Sequence, residues 1–206
     1  MRCRSLTRLC ADLVLAVGTG LGVGLLTHPY SGSDFQVLPL EGGHVLLNTV
    51  GVDHEFHAEE QDLLQFAGRE LYGGKFSIEY EDLVSGRGVL LLYNWIAKRH
   101  PEAPALTETG QGTDASHSLA LLRGLTQCRG GTRVVAKNAC SDPPCPYAAK
   151  ALLLHYEYLM RCAQNLSIGL NAKGIFLAGD NQVANRNFVF KYACQRERHA
   201  RSSMPC

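Results

Sequence analysis

The sequence predicts an α/β fold. Short apolar runs separated by glycine turns fill the first forty residues, a long amphipathic stretch dominates the second half, and a further apolar run, Gly174–Ala178, follows that stretch directly. With 206 residues the chain suits one domain, or one large domain with a short appendage. A domain of that size buries enough surface to fold without disulfides or a metal.

In chain order, residues 13–17 and Val23–Leu26 read as strands joined by the turn Gly18-Thr19-Gly20-Leu21-Gly22. Phe35–Leu40 is a third short apolar run, broken by Pro39. Residues 58–71 read as a helix, with Glu59, Glu60 and Asp62 in the first turn, Arg69 near the end, and Leu63, Ala67 and Leu71 recurring every fourth residue. A second helix runs from Val89 to Arg99 and stops before Pro101. Inside an irregular stretch over 101–146, Ser116–Leu125 reads as a helix. Tyr147–Leu170 is the strongest helix, with Leu152, Tyr156, Leu159, Ala163, Leu166 and Leu170 forming an apolar stripe. Lys150, Glu157, Arg161 and Gln164 take the other side, with Glu157 and Arg161 as an i,i+4 ion pair. Gly174–Ala178 reads as a buried strand that turns at Gly179-Asp180-Asn181. Residues 191–206 are polar and aperiodic, and are expected to be disordered.

Hydrophobic residues at 46% and charged residues at 19% argue against wholesale disorder. Lys and Arg number 20 against 19 Asp and Glu, a net charge of +1, so no electrostatic footprint for nucleic acid or an anionic membrane is present. Eight cysteines are too few for a disulfide scaffold. Neither Cys3/Cys10 nor Cys140/Cys145 has a second pair at zinc spacing, which favours free thiols in a reducing cytosol over metal or redox use. The leader, residues 1–10, imitates a secretory signal, but Asp12 interrupts the apolar run that follows it. Residues 13–26 are too short and too glycine-rich for a membrane span. A cytoplasmic location is expected.

Three motifs carry chemistry. The turn Gly18–Gly22 lets backbone N–H groups approach an anion, and Thr19 adds a hydroxyl. It lacks the Lys-Ser/Thr of a Walker loop and precedes a strand, and a plain hairpin turn explains it equally well. Glu41-Gly42-Gly43-His44 sets a carboxylate and an imidazole on one short turn, a pairing suited to adjacent sugar hydroxyls. A His alone is more often a satisfied core or surface residue. Glu81-Asp82-Leu83-Val84-Ser85-Gly86-Arg87-Gly88 makes a tight helix entry, and by itself reads as an N-cap beside two solvated acids.

Taken in order, the glycine turn, Glu-Gly-Gly-His, Glu-x-Leu-Val-Ser-Gly-x-Gly, and Ala-Gly after a long helix resemble the large C-terminal domain of the bacterial-type, ATP-dependent glucokinases over residues 11–190. The resemblance implies an actin-like, hexokinase-type (ribonuclease-H-like) large domain with a mixed sheet and flanking helices. It implies ATP with Mg2+ as phosphoryl donor and glucose or a related hexose as acceptor, with no nucleic-acid or membrane partner and oligomerisation left open. Glu41, His44 and Glu81 match the sugar-contacting residues. Gly18, Thr19, Gly20 and Gly22 match a phosphate-binding loop. Ala178 and Gly179 match the adenosine-side motif, where the family continues with glycine and this chain has Asp180.

Family members also begin with a small domain that carries an Asp-x-Gly-Gly-Thr loop and the catalytic Asp. Neither matches any residue before Gly18. The chain is therefore read as a partial glucokinase, mainly the sugar-binding half, without a catalytic residue of its own. A catalytically dead hexose-binding or regulatory module is the alternative. Glu41, His44 and Glu81 are expected to face one concave surface with the glycine turn at its rim.

Overall fold

The computed structural model describes residues 10–28, 35–106 and 131–191. Residues 1–9 of the leader 1–10, the expected helix Ser116–Leu125 and residues 192–206 of the tail 191–206 lie outside them; Cys10 falls in a strand, and Lys191, expected to open a disordered tail, belongs to a helical run over 186–191.

Strands β1 (Cys10–Val17) and β2 (Leu21–His28) form the antiparallel hairpin expected from the two apolar runs, with Val17 opposite Leu21. Strand β3 (Gln36–Leu40) pairs antiparallel with the outer side of β2. Pro39 of β3 stands opposite Gly24, and among the described residues β3 is an edge strand, the position in a sheet where proline is tolerated. Strand β4 (Gly174–Ala178) lies parallel to β1, with Asp12 opposite Gly174 and Ala16 opposite Ala178. The sheet order is β3-β2-β1-β4, a mixed sheet.

The expectation that Gly174–Ala178 is a buried strand is corrected. As an edge strand β4 is open on one flank among the described residues, and Ile175 and Phe176 are 40% and 54% exposed. A short apolar run specifies a strand but does not distinguish a central from an edge position.

One face of the sheet packs on the helices. Leu13, Leu15, Val17, Leu21 and Val23 alternate inward and are buried, as a strand period of two requires. The helices among the described residues include α1 (His57–Tyr72), α2 (Tyr80–Leu83), α3 (Gly86–Arg99), α4 (Gly131–Ala139), α5 (Pro146–Gly169) and α6 (Asp180–Ala184). Helix α3 begins three residues before the expected Val89, because the Ser85 hydroxyl caps it by accepting from Gly88 N–H at 3.2 Å.

Helix α5 is the centre of the domain, touching α2, α3, α4 and β1. Its expected stripe is confirmed at Leu152, Tyr156, Leu159 and Ala163, but Ala151, Leu154, His155, Tyr158 and Cys162 are buried as well. A helix packed on several sides hides more than one stripe. Arg161, expected to pair with Glu157, pairs at 2.6 Å with Glu60 of α1. Glu60 is fully buried and also accepts from Tyr158 OH at 3.0 Å and Val50 N–H at 2.6 Å, while Arg161 donates to Asn48 O at 2.8 Å. This network fastens the loop after residue 44 to the helical layer. Cys140, Cys145 and Cys162 are free thiols, and burial pushes the Cys162 thiol up to about 12.

Candidate functional site

The three sequence motifs meet at the tip of the β1–β2 hairpin. The turn residues Gly18 and Thr19 are exposed, while Gly22 lies inside β2 opposite Ala16. Gly18 N–H donates to Gly20 O within the turn at 2.9 Å, and Gly18 O accepts from Gly86 N–H at 2.9 Å. The carbonyl of Gly86 in turn accepts from the Thr132 hydroxyl of α4. The glycine turn is thereby tied to the start of α3.

Glu81, on α2, points back to the same turn and accepts from Leu21 N–H through Oε2 at 2.9 Å. A Cβ on Gly20 would lie 2.6 Å from that oxygen, so a larger residue there would push the carboxylate from its present position. Arg87 Nη2 stands 3.7 Å from Glu81 Oε1 and 3.5 Å from Asp82 Oδ1. Asp82 is buried and accepts from Tyr72 OH at 2.7 Å, which raises the Tyr72 hydroxyl to about 12.

The Glu-Gly-Gly-His segment forms a short 3-10 turn over Gly42–His44. Its glycines are there for space. A Cβ on Gly42 would meet Leu166 Cδ1 at 2.9 Å and Val23 Cγ2 at 3.0 Å, and one on Gly43 would meet the Leu21 carbonyl oxygen at 2.5 Å. Pressing Gly43 against β2 brings His44 to the Glu81 side of the sheet; a Gly43 Cβ would stand 3.4 Å from Glu81 Oε2.

His44 Nε2 stands 3.8 Å from Glu41 Oε2, and His44 Nδ1 stands 2.7 Å from Oε2 of Glu79. Glu79 was not among the residues singled out from sequence. The hydrogen bond and charge of Glu79 raise the imidazole above the ordinary histidine range, with smaller contributions from Glu81 and Glu41. The structure therefore brings Glu41, His44 and Glu81 together beside the glycine turn. Glu41 is 90% exposed and Glu81 is 22% exposed.

Ala178 and Gly179 lie on the opposite flank of β1. Ala178 pairs with Ala16, and Gly179 (φ +104) sits so close to the end of β1 that a Cβ there would meet Val17 O at 2.8 Å. They border the same carboxyl ends of the parallel strands, where open α/β sheets bind ligands. Among the described residues no group of three or more His, Cys, Asp or Glu is placed to hold a metal ion. None of the helices among them is long and apolar enough to cross a membrane.

A glucokinase family model matches residues 7–190. Glucokinase 1 of Trichomonas vaginalis is 34% identical over 184 residues, covering 89% of this chain and 43% of its own. The crystal structure of glucokinase from Balamuthia mandrillaris in complex with glucose superposes with a TM-score of 0.72 at 41% identity, covering 90% of this chain and 44% of that one. Leishmania braziliensis glucokinase shares the fold, with a TM-score of 0.63 at 22% identity, covering 88% and 39% of the two chains. The mixed sheet with flanking helices is thus of the actin-like sugar-kinase type, and the chain spans less than half the length of these relatives. With one family model covering residues 7–190, most of its length, the chain belongs to the glucokinase family.

Proposed function

We propose that this chain forms the hexose-binding part of an ATP-dependent glucose phosphotransferase. The observation that supports this best is the approach of Glu41, His44 and Glu81, from two distant segments, to one hairpin tip. A carboxylate accepts from hydroxyls, and an imidazole donates or accepts, so the set matches adjacent sugar hydroxyls. The Balamuthia relative was crystallised in complex with glucose.

In this reading Glu41, His44 and Glu81 orient the sugar. The turn at Gly18, Thr19 and Gly20, with Gly22 behind it, faces the nucleotide phosphates, and Ala178-Gly179 takes the adenosine side. Magnesium bound to the nucleotide would neutralise charge on the transferring phosphoryl group. This chain's own residues bind and position, which for phosphoryl transfer is most of what a protein supplies. Residues 11–190 act as one unit, the setting is the cytoplasm, and neither nucleic acid nor a membrane is a partner.

The test is calorimetric titration of the purified chain with glucose, alongside a coupled glucose 6-phosphate assay with Mg-ATP. Saturable binding of glucose, with turnover far below the 1–100 s⁻¹ typical of kinases, is the expected result, because no Asp-x-Gly-Gly-Thr loop occurs in the sequence. Absence of glucose binding overturns the hexose reading. Full turnover overturns the assignment of the catalytic base to a segment outside this chain.

A further inference from the structure

We propose that Glu79 is the positioning residue of the hexose site: it holds the His44 ring through Nδ1 and so aims Nε2 into the space bordered by Glu41 and Glu81. The proposal rests on the hexose reading for its ligand, but on the geometry of the pair for its substance.

The backbones carrying the two residues are fixed to one another. Leu46 and Glu79 form an antiparallel bridge, Leu47 N–H donates to Ile78 O at 3.0 Å, and Tyr80 N–H donates to Val45 O at 3.1 Å. Glu79 N–H is held by Asp82 Oδ2 at 3.0 Å, and Asp82 is itself buried and anchored by Tyr72. Glu79 thus stands on a braced backbone beside the segment that leaves His44.

At 2.7 Å the Nδ1–Oε2 contact has the length of a charge-assisted hydrogen bond. A carboxylate only accepts, so Nδ1 carries a proton whether the ring is neutral or charged. Nε2 is left to face the site. Its nearest acid, Glu41, stands at 3.8 Å, beyond hydrogen-bond range. Nε2 accepts from a hydroxyl when the ring is neutral and donates to one when it is protonated. The acids facing the ring are Glu41 from its own turn and Glu79 and Glu81 from the segment opposite, with Arg87 beside Glu81. Glu79 is the one of these in hydrogen-bond contact with the ring.

The experiment uses the full chain labelled with 15N, with E79A and E79Q, and reads the His44 ring by long-range proton–nitrogen correlation while glucose affinity is measured calorimetrically. In the wild type the neutral ring is expected as the Nδ1–H tautomer, with a titration midpoint above the ordinary histidine value. In E79A the tautomers mix, the midpoint falls, and glucose affinity drops about ten-fold, the loss of one oriented hydrogen bond. In E79Q, whose amide oxygen still accepts from Nδ1, the tautomer and part of the affinity return while the midpoint stays low. A wild-type ring in the Nε2–H form, an unchanged ring in E79A, or unchanged glucose affinity in E79A overturns the proposal. A wild-type chain that keeps the Nδ1–H ring but binds no glucose overturns the hexose reading and supports the positioning of the ring, so the two fail separately.

Discussion

The backbone N–H of Leu21 donates to Oε2 of Glu81 at 2.9 Å, across sixty positions of sequence. One carboxylate oxygen is thereby committed to the start of β2, and the other is left on the side of Arg87. Glu81→Gln keeps an acceptor for Leu21 and should fold normally. Its loss of charge should weaken glucose binding by roughly ten- to a hundred-fold, as for a hydrogen bond to a charged group. Glu81→Ala should in addition lose about 1–3 kcal/mol of stability, since it strands the amide of buried Leu21. Calorimetric titration and chemical denaturation separate the two effects.

Gly43→Ala should be a costly small change in the Glu-Gly-Gly-His turn. Its Cβ would lie 2.5 Å from the Leu21 carbonyl oxygen, a backbone atom that cannot rotate away. Overpacking of this kind costs about 1–3 kcal/mol, and the shift should also weaken glucose binding. Gly51→Ala, with nothing within 4 Å of the new methyl group, is the control and should leave both measurements unchanged within error.

Leu159→Asp should be far more damaging than Gln164→Ala. Leu159 is fully buried at the centre of α5, and an unpaired charge there costs several kcal/mol. Gln164 is exposed on the same helix, and its change should stay within about ±0.5 kcal/mol. Soluble yield and thermal midpoint check the pair; equal losses would place the buried side of α5 elsewhere.

Stability should fall as pH drops from about 6.5 toward 4. Burial lowers the His155 ring to about 4, where it donates Nδ1–H to Leu83 O of α2 at 3.1 Å. The unfolded chain titrates near the ordinary value of about 6.5, so between the two values the unfolded state binds more protons. The contribution, up to about 3 kcal/mol, is complete above the unfolded value and is lost as pH falls through the window. Denaturant midpoints measured at pH 7.5, 6, 5 and 4.5 should decline, and His155→Gln should flatten the decline.

Periodicity was enough to read most elements of this chain. The every-fourth apolar residues of α1, the stripe on α5 and the two runs flanking the glycine turn each became the expected element, with ends displaced by a few residues. Glu41, His44 and Glu81 were grouped through the resemblance that their short, ordered motifs carry, since no local pattern links residues 41–44 to residue 81. Glu79 was not, because its partner is specified by the pairing of the segment after His44 with residues 78–80, a register that no local pattern encodes. The same limit hid the pairing of Arg161 with Glu60. The edge position of β4 was hidden because Gly-Ile-Phe-Leu-Ala has the same apolar character in the middle of a sheet as at its margin.

Hairpin tips ordinarily open among the first parts of a domain, since few contacts oppose them. The β1–β2 tip is different. Gly18 O is held by Gly86 N–H, Gly86 O by the Thr132 hydroxyl, and Leu21 N–H by Glu81. Freeing the tip requires releasing the first turn of α3, its bond to α4 and the acid of α2 together. The amides of Leu21 and Gly86 should therefore exchange with solvent as members of one cooperative opening unit, at a rate set by the helical layer and not by the length of the turn.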